Sequence, residues 1–398
     1  MKQYIFNRHC LIALLCITMA ACSKSSGSAP IDEPVDPPEP PEPPKTEVVM
    51  PGLDKAVAAF MTEYEIPGMS IAISKNSRLV YKKGYGKADV QANTPVTDSS
   101  LFRIASISKP ITSVAIMTLL EQGKISLSDK VFGEGAILGT LYGSKPYNDS
   151  IKAITIKHLL NHTAGGWLND GGDPMFKNKN MTAPELLGWT LDNDPQENYP
   201  GEKQAYSNFG FFVLGRVIEK ISGMGYEEYV RKHVLEPCGI KAMRVGGNTL
   251  ADRAPNEVRY YAPAANGAYV HNISRLDAAG GWIASAEDLV RFLTKVDGFQ
   301  AIPDILAANT LVIMTTRNGM GGNYACGWVV NDANNWFHNG GLPGTNTLMV
   351  RTASGYNWAL LCNGKNDKES FGNALDQLIW KVINDPTTVW PSQDLFKQ

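Results

Sequence analysis

The β-patterned segments of this chain fall into two groups, one near each end, and the long interval between them reads as helix. Early on, "MSIAISKNSRLVYKKGYGKAD" alternates apolar and polar residues around a polar turn at Lys75 to Ser77, the pattern of a β-hairpin. Near the far end, "NYACGWVV", "NWFHNGG", "TNTLMVRTA" and "NWALLCNG" are short, β-rich and separated by Asn, Gly and Pro. Between them, "SISKPITSVAIMTLLEQGK", "TIKHLLNHTAGG", "TAPELLGWTL" and "NFGFFVLGRVIEKISG" carry helical periodicity. A helix opens the region with Leu53, Val57, Phe60, Met61 and Tyr64 on one face, stopped by Pro67-Gly68, and "ESFGNALDQLIWKVIND" closes it. Short hairpin and meander connections make the sheet antiparallel, and helices must cover both faces to bury it. The expected fold is therefore α+β: an antiparallel sheet formed from the N- and C-terminal segments (about 68–102 and 322–385), flanked by helices, with an inserted, mostly helical lobe (about 103–320). No internal repeat competes with this reading.

The first residues belong to another category. "MKQYIFNRHC" is a short cationic region and "LIALLCITMAAC" an apolar run ending in small side chains, which predicts an export signal over 1–21 that is too short for a membrane span. The ending "TMAAC" resembles a bacterial lipobox, which makes Cys22 the expected lipidated residue; a plain cleaved signal with an incidental Cys is the alternative. Residues 22–47 are Ser-rich and then Pro- and acid-rich, the composition of a linker that cannot form a core, and the folded domain is expected over 48–398. The expected location is thus the bacterial cell envelope, with membrane contact by lipid anchor alone. A formal net charge of -2 in 398 residues, without a basic block, excludes a nucleic-acid partner. Absent CxxC or HExxH spacing, no metal or other cofactor is expected, and Cys238, Cys326 and Cys362, set in apolar surroundings, read as buried free thiols.

One short stretch carries chemistry. In "FRIASISKPIT", Ser106 and Lys109 stand one helical turn apart, close enough for the lysine amine to reach the serine hydroxyl. Ile104, Ala105, Ile107 and Ile111 surround them, and a lysine can act as a base for serine only where burial or a neighbouring cation lowers its pKa. By spacing alone the pair equally fits a helix cap and a first-turn surface lysine. Other motifs decide the matter: "PGEKQAYSNFGFFVLGRVIE" sets Tyr206 and Asn208 at the head of an apolar helix, and "WFHNGGLPGTNTLMV" puts His338, Asn339, Gly340 and Gly341 on a strand.

Ser-x-x-Lys, Tyr-x-Asn and His-x-Gly in this order resemble the serine hydrolase family of β-lactamases and penicillin-binding peptidases, in particular its class C-like members with their related esterases and D-amino-acid peptidases. The likeness runs from about Leu53 to the closing helix and includes "TIKHLLNHTAGG" and "GGWIASAEDLVRFL". It implies Ser106 as nucleophile, Lys109 as neighbouring base or proton relay, and Tyr206 as phenolate or proton shuttle. It further implies that Asn208 hydrogen-bonds Lys109 and a substrate amide, and that the backbone N–H groups of Ser106 and Gly341 form an oxyanion hole, with Gly340 leaving room for substrate. His158, His162 and His233 read as structural, and His271 has no assigned role. Where the family usually has Lys-Thr-Gly, this chain has His338-Asn339-Gly340; a histidine only partly charged near neutral pH implies weaker carboxylate binding. The expected function is hydrolysis of an amide or ester, a peptidoglycan-type D-amino-acid peptide or a carboxylic ester, through an acyl-enzyme at Ser106, with at most weak β-lactamase action. The alternative is a binding or sensing protein of the same fold that captures cell-wall fragments or β-lactams without turnover. The loops "GWLNDGGDPMFKNKNMTAP" and "VRYYAPAANGAYVHNISR" are expected to wall the cleft.

Overall fold

The computed structural model describes residues 48–170, 172–263 and 267–397; the export signal, Cys22 and the linker lie outside the described residues. A helix, Pro51–Glu63, precedes β1 (Gly68–Lys75) and β2 (Arg78–Asp89). Between these strands Asn76 and Ser77 both adopt positive φ, 50° and 61°, the conformation that lets a two-residue turn follow the right-handed twist of its strands. Next come β3 (Thr94–Pro95), β4 (Phe102–Arg103), β5 (Arg244–Val245), β6 (Trp282–Ala284), β7 (Val329–Val330), β8 (Trp336–Leu342), β9 (Thr345–Arg351) and β10 (Tyr356–Cys362). The main sheet has the order β3-β2-β1-β10-β9-β8-β7 with antiparallel pairs throughout, as the short connections require.

The two ends of the chain meet where β1 pairs with β10, from Met69 opposite Cys362 to Lys75 opposite Tyr356. Both faces of this junction are covered, and all but the last residue of β1 is buried. Ile71, Ile73, Trp358 and Leu360 face the helices Pro51–Glu63 and Phe371–Ile383, while Ala72, Ala359, Leu361 and Met349 face the larger core shared with the lobe. That alternation is the period of two of a strand sandwiched between helical layers.

The lobe departs from the expectation of helix in two places. Phe102–Arg103 does not extend the main sheet but pairs with Trp282–Ala284, and together with Arg244–Val245 these make a second, three-stranded sheet inside the lobe. Of "NYACGWVV", only Val329–Val330 forms a strand, because Gly327, at φ 77°, turns the chain back so that Tyr324 bridges Val329. The three cysteines are free and buried as expected. Among the described residues no helix is long and apolar enough to cross a membrane.

Trp358 on β10 is fully buried and meets the Trp380 ring edge-on at 5.0 Å. Trp358→Ala should lower the unfolding free energy by about 3–5 kcal/mol, read from the urea midpoint, whereas Val389→Ser, at a side chain 86% exposed, should stay within about 0.5 kcal/mol of the parent.

Candidate active site

The serine is presented by a strained turn. Ala105 holds a left-handed φ of 47°, unfavourable for a residue with a Cβ, immediately before Ser106 in the 3-10 turn Ala105–Ile107. Backbone bonds fix this turn: Ile104 N–H donates to Trp282 O on β6 at 3.0 Å, and Ile107 N–H to Ile104 O at 3.1 Å. On the other side it lies against the main sheet, where Thr347 Oγ1 donates to Ile104 O at 3.0 Å. A Cβ at Gly340 would stand 2.3 Å from that same carbonyl oxygen, so β8 can approach the turn only with glycine there. Ser106 keeps partial exposure; its neighbours Ala105 and Ile107 do not.

Lys109 sits in the first turn of the helix Ser108–Glu121, whose residues are buried from Ser108 to Leu119. Its side chain is fully buried and its Nζ lies 3.1 Å from Ser106 Oγ, 2.7 Å from Asn208 Oδ1 and 2.7 Å from Ala279 O. The last acceptor belongs to the π-helical turn Asp277–Gly281, a local widening of a kind that recurs at functional sites. Burial lowers the lysine pKa to about 7, against the opposing pull of the Asp173 carboxylate. The three contacts accommodate both protonation states. An ammonium donates to all three oxygens, whereas a neutral amine donates to Asn208 and Ala279 and turns its lone pair toward the Ser106 hydroxyl.

Tyr206 stands just before the helix Asn208–Ser222, which Ser207 caps by accepting from Gly210 N–H. Its ring centroid lies 4.8 Å from Lys109 Nζ, and the neighbouring Ser106 side chain works against burial to lower the phenol pKa. Burial raises the phenol pKa, so of the two roles expected for Tyr206 the environment favours the protonated shuttle over a standing phenolate. The segment is held by His162, itself at φ 60°: its carbonyl accepts from Ala205 N–H, its Nδ1 from Ser207 N–H, and its ring packs 4.2 Å from that of Tyr206. His162 thus has the structural role expected of it, as does His158, which closes a capping box with Thr155. His271 packs on Phe176, ring centroids 4.6 Å apart.

Asn208 differs from expectation. Its Oδ1 accepts from Lys109, but both amide hydrogens are committed inside the protein, to Asn169 Oδ1 at 3.0 Å and to Asp173 Oδ2 at 2.8 Å. No N–H remains for a substrate amide. Asp173, which sequence reasoning missed, is fully buried, and desolvation raises its pKa to about 6. Its only sequence signal is an Asp before Pro, which marks a helix cap, and Asp173 Oδ1 does accept from Met175 N–H at 2.9 Å at the head of Pro174–Lys177. This residue and Asn169 bring the first of the two expected wall loops into the site. The second packs Tyr260 and Tyr269 over the Arg103 guanidinium.

Two expectations for the third motif are corrected. His338 was expected to be partly charged, but burial, with Lys109 nearby, pushes its pKa down to about 3, so the ring is neutral. Its Nδ1 is 2.6 Å from the Asn339 carbonyl oxygen and its Nε2 3.0 Å from Tyr324 Oη, so Nδ1 carries the hydrogen and Nε2 accepts from the phenol. Asn339 was expected to bind substrate, but strand alternation turns it to the opposite face of the sheet from His338 and Gly340. There it lines a cavity of about 340 Å³ with Phe337, Leu348, Phe371 and Trp380. Gly341 is exposed on the same strand. Among the described residues no group of three or more His, Cys, Asp or Glu could hold a metal ion.

The Beta-lactamase family pattern matches residues 53–379. A penicillin-binding protein of Bacillus subtilis (strain 168) is 25% identical over 333 residues, covering 77% of this chain and 70% of its own length. Protein flp of Staphylococcus aureus (strain MW2) is 25% identical over 341 residues, covering 83% of this chain and 66% of its own, so about a third of that relative has no counterpart in the aligned region. The D-amino acid amidase from Ochrobactrum anthropi SV3 shares the fold with a TM-score of 0.68 at 23% identity, over 83% of this chain and 99% of the amidase.

The two faces of β8 can be told apart by experiment. Gly340→Ala should slow labelling of Ser106 by a fluorophosphonate by about a hundredfold through displacement of the serine turn, and Asn339→Ala should leave the rate within about twofold.

Proposed function

The chain belongs to the Beta-lactamase family of serine hydrolases, and we propose that it hydrolyses an amide or ester through an acyl-enzyme at Ser106, on substrates that need no cationic subsite for a terminal carboxylate. The observation that carries this reading is the fully buried Lys109, with a pKa of about 7 and its Nζ 3.1 Å from Ser106 Oγ.

In the proposed acylation, neutral Lys109 takes the Ser106 proton as Oγ attacks the carbonyl carbon. The developing oxyanion is met by the backbone N–H of Ser106 and that of Gly341, at the head of a buried 14-residue helix whose dipole favours negative charge there. Collapse of the tetrahedral intermediate breaks the bond to the leaving group. Tyr206 hands that group a proton and recovers one from the Lys109 ammonium. Water then attacks the ester carbonyl, gives its proton back along the same path, and Ser106 leaves with a hydrogen. Lys109 reaches Ser106 and Tyr206 packs against Lys109, which favours turnover over capture alone.

The neutral, doubly committed His338 shapes substrate choice. A ring whose nitrogens are bound to Asn339 O and Tyr324 Oη offers no charge to a carboxylate. The preferred substrates are therefore esters and amides without a free carboxylate beside the scissile bond, and D-amino-acid amides are natural candidates given the likeness of fold to a D-amino acid amidase. We also propose, from the apolar leader and "TMAAC", that the protein is exported and anchored through Cys22 at the cell envelope.

A fluorophosphonate should add one adduct mass that Ser106→Ala loses, and p-nitrophenyl acetate and D-alaninamide should exceed nitrocefin and a D-Ala-D-Ala peptide in kcat/KM by at least about tenfold. A burst without steady turnover on every substrate would instead indicate a capture protein. For the neutral ester, kcat/KM should rise with pH through about 7 and then level, because it is the deprotonated lysine that accepts the serine proton. A flat profile across that range would remove Lys109 from the base role.

A further inference from the structure

We infer that Asp173 is a positioning residue for the serine's base, holding the Asn208 amide in the single orientation that aims its oxygen at Lys109. This rests on the proposed role of Lys109 at Ser106. An Asn amide can be reversed end for end, and its neighbours decide which way it points. Here Lys109 Nζ, a donor, lies 2.7 Å from one end, while the acceptors Asp173 Oδ2 and Asn169 Oδ1 lie 2.8 Å and 3.0 Å from the other. Reversal would set N–H against ammonium and oxygen against two oxygens. Asn169 is exposed and itself an amide able to turn, so the fixed acceptor is the fully buried carboxylate.

Asp173 divides its two oxygens between tasks. Oδ1 caps the turn Pro174–Lys177 through Met175 N–H, and Oδ2 receives Asn208. The backbone of the wall loop is thereby tied to the amide that touches the base. The carboxylate is shut off from solvent and lies behind Asn208, so it acts through that amide and not on substrate.

Its charge has a second effect, favouring the protonated form of Lys109 and so opposing desolvation. The other groups facing the pair do not confuse this. Tyr206 is raised and stays a phenol, as does Tyr324 behind it, while His162 and His338 are lowered and stay neutral. Asp170, near Asp173, is exposed, and its charge raises the Asp173 pKa. Lys109 and Asp173 therefore titrate as a coupled pair near neutrality.

The test is the pH dependence of Ser106 labelling by a fluorophosphonate, which needs no knowledge of the natural substrate. Asp173→Asn has only one acceptor oxygen and cannot serve Met175 N–H and Asn208 together. It should slow labelling at pH 8 by at least about tenfold and move the midpoint to lower pH, since loss of the anion leaves desolvation unopposed. Asp173→Ser keeps a hydroxyl able to cap Met175 N–H but too short for Asn208, and should show the same two changes; it also serves if the Asn variant does not fold. In an Asn208→Ala background, Asp173→Ser should cost less than about twofold more. Unchanged rate and midpoint in Asp173→Ser, or full additivity with Asn208→Ala, would overturn the inference while leaving Ser106 and Lys109 in their roles. An unlabelled wild-type Ser106 would instead overturn the proposed function, and the inference with it.

Discussion

The burial of one amine organises this molecule. Lys109 Nζ is enclosed by groups from four separate parts of the chain: its own helix with Ser106, the Tyr206–Asn208 segment, the π-helical turn at Ala279, and β8 with His338. Each contributes a dipole, a hydrogen-bond acceptor or an aromatic face, and none beside the amine contributes a bare carboxylate. Such an enclosure makes the lysine a weaker base than in water, which is the condition for exchanging a proton with a serine hydroxyl. The penetration of the apolar helix Ser108–Glu121 into the centre of the lobe, the bulging of Asp277–Gly281 and the neutral state of the two nearby histidines all bear on that condition.

Charge at the third motif follows from the same enclosure. A histidine at position 338 in open solvent would titrate close to neutrality, but beside a lysine and away from water it has every reason to stay neutral. It then behaves as a shaped polar spacer between Tyr324 and its own strand.

Much of this was legible in the sequence. Strand patterns at both ends and helix between them read correctly as one antiparallel sheet with an inserted lobe, because hydrophobic period reports burial directly. Ser106, Lys109 and Tyr206, read as candidates from short motifs in a set order, are brought together by the fold. What escaped depended on directions and distances that spacing does not encode. Asn339 falls on the wrong face of β8 through simple alternation, a fact that becomes usable only once His338 is known to face the serine. Asn208 was recognised as a partner of Lys109, but its second partner, Asp173, lies in a loop with no periodicity and looks like an ordinary helix cap. The protonation states of His338 and Tyr206 are properties of burial, which the pattern of neighbours along the chain only partly reveals.

The pairing of β1 with β10 has a consequence for how activity arises in time. The strand that flanks the serine turn, β8, and the strand that locks the sheet, β10, follow Ser106 by more than two hundred residues and are made well after it. Contacts so distant in sequence form slowly, since long loops must close before they are rewarded. A growing or unfolded chain thus has Ser106 but neither the glycine surface that supports the serine turn nor the enclosure that weakens the lysine. The surroundings of Ser106 are therefore completed by long-range pairing, and the serine stays unsupported until β8 and β10 join the sheet.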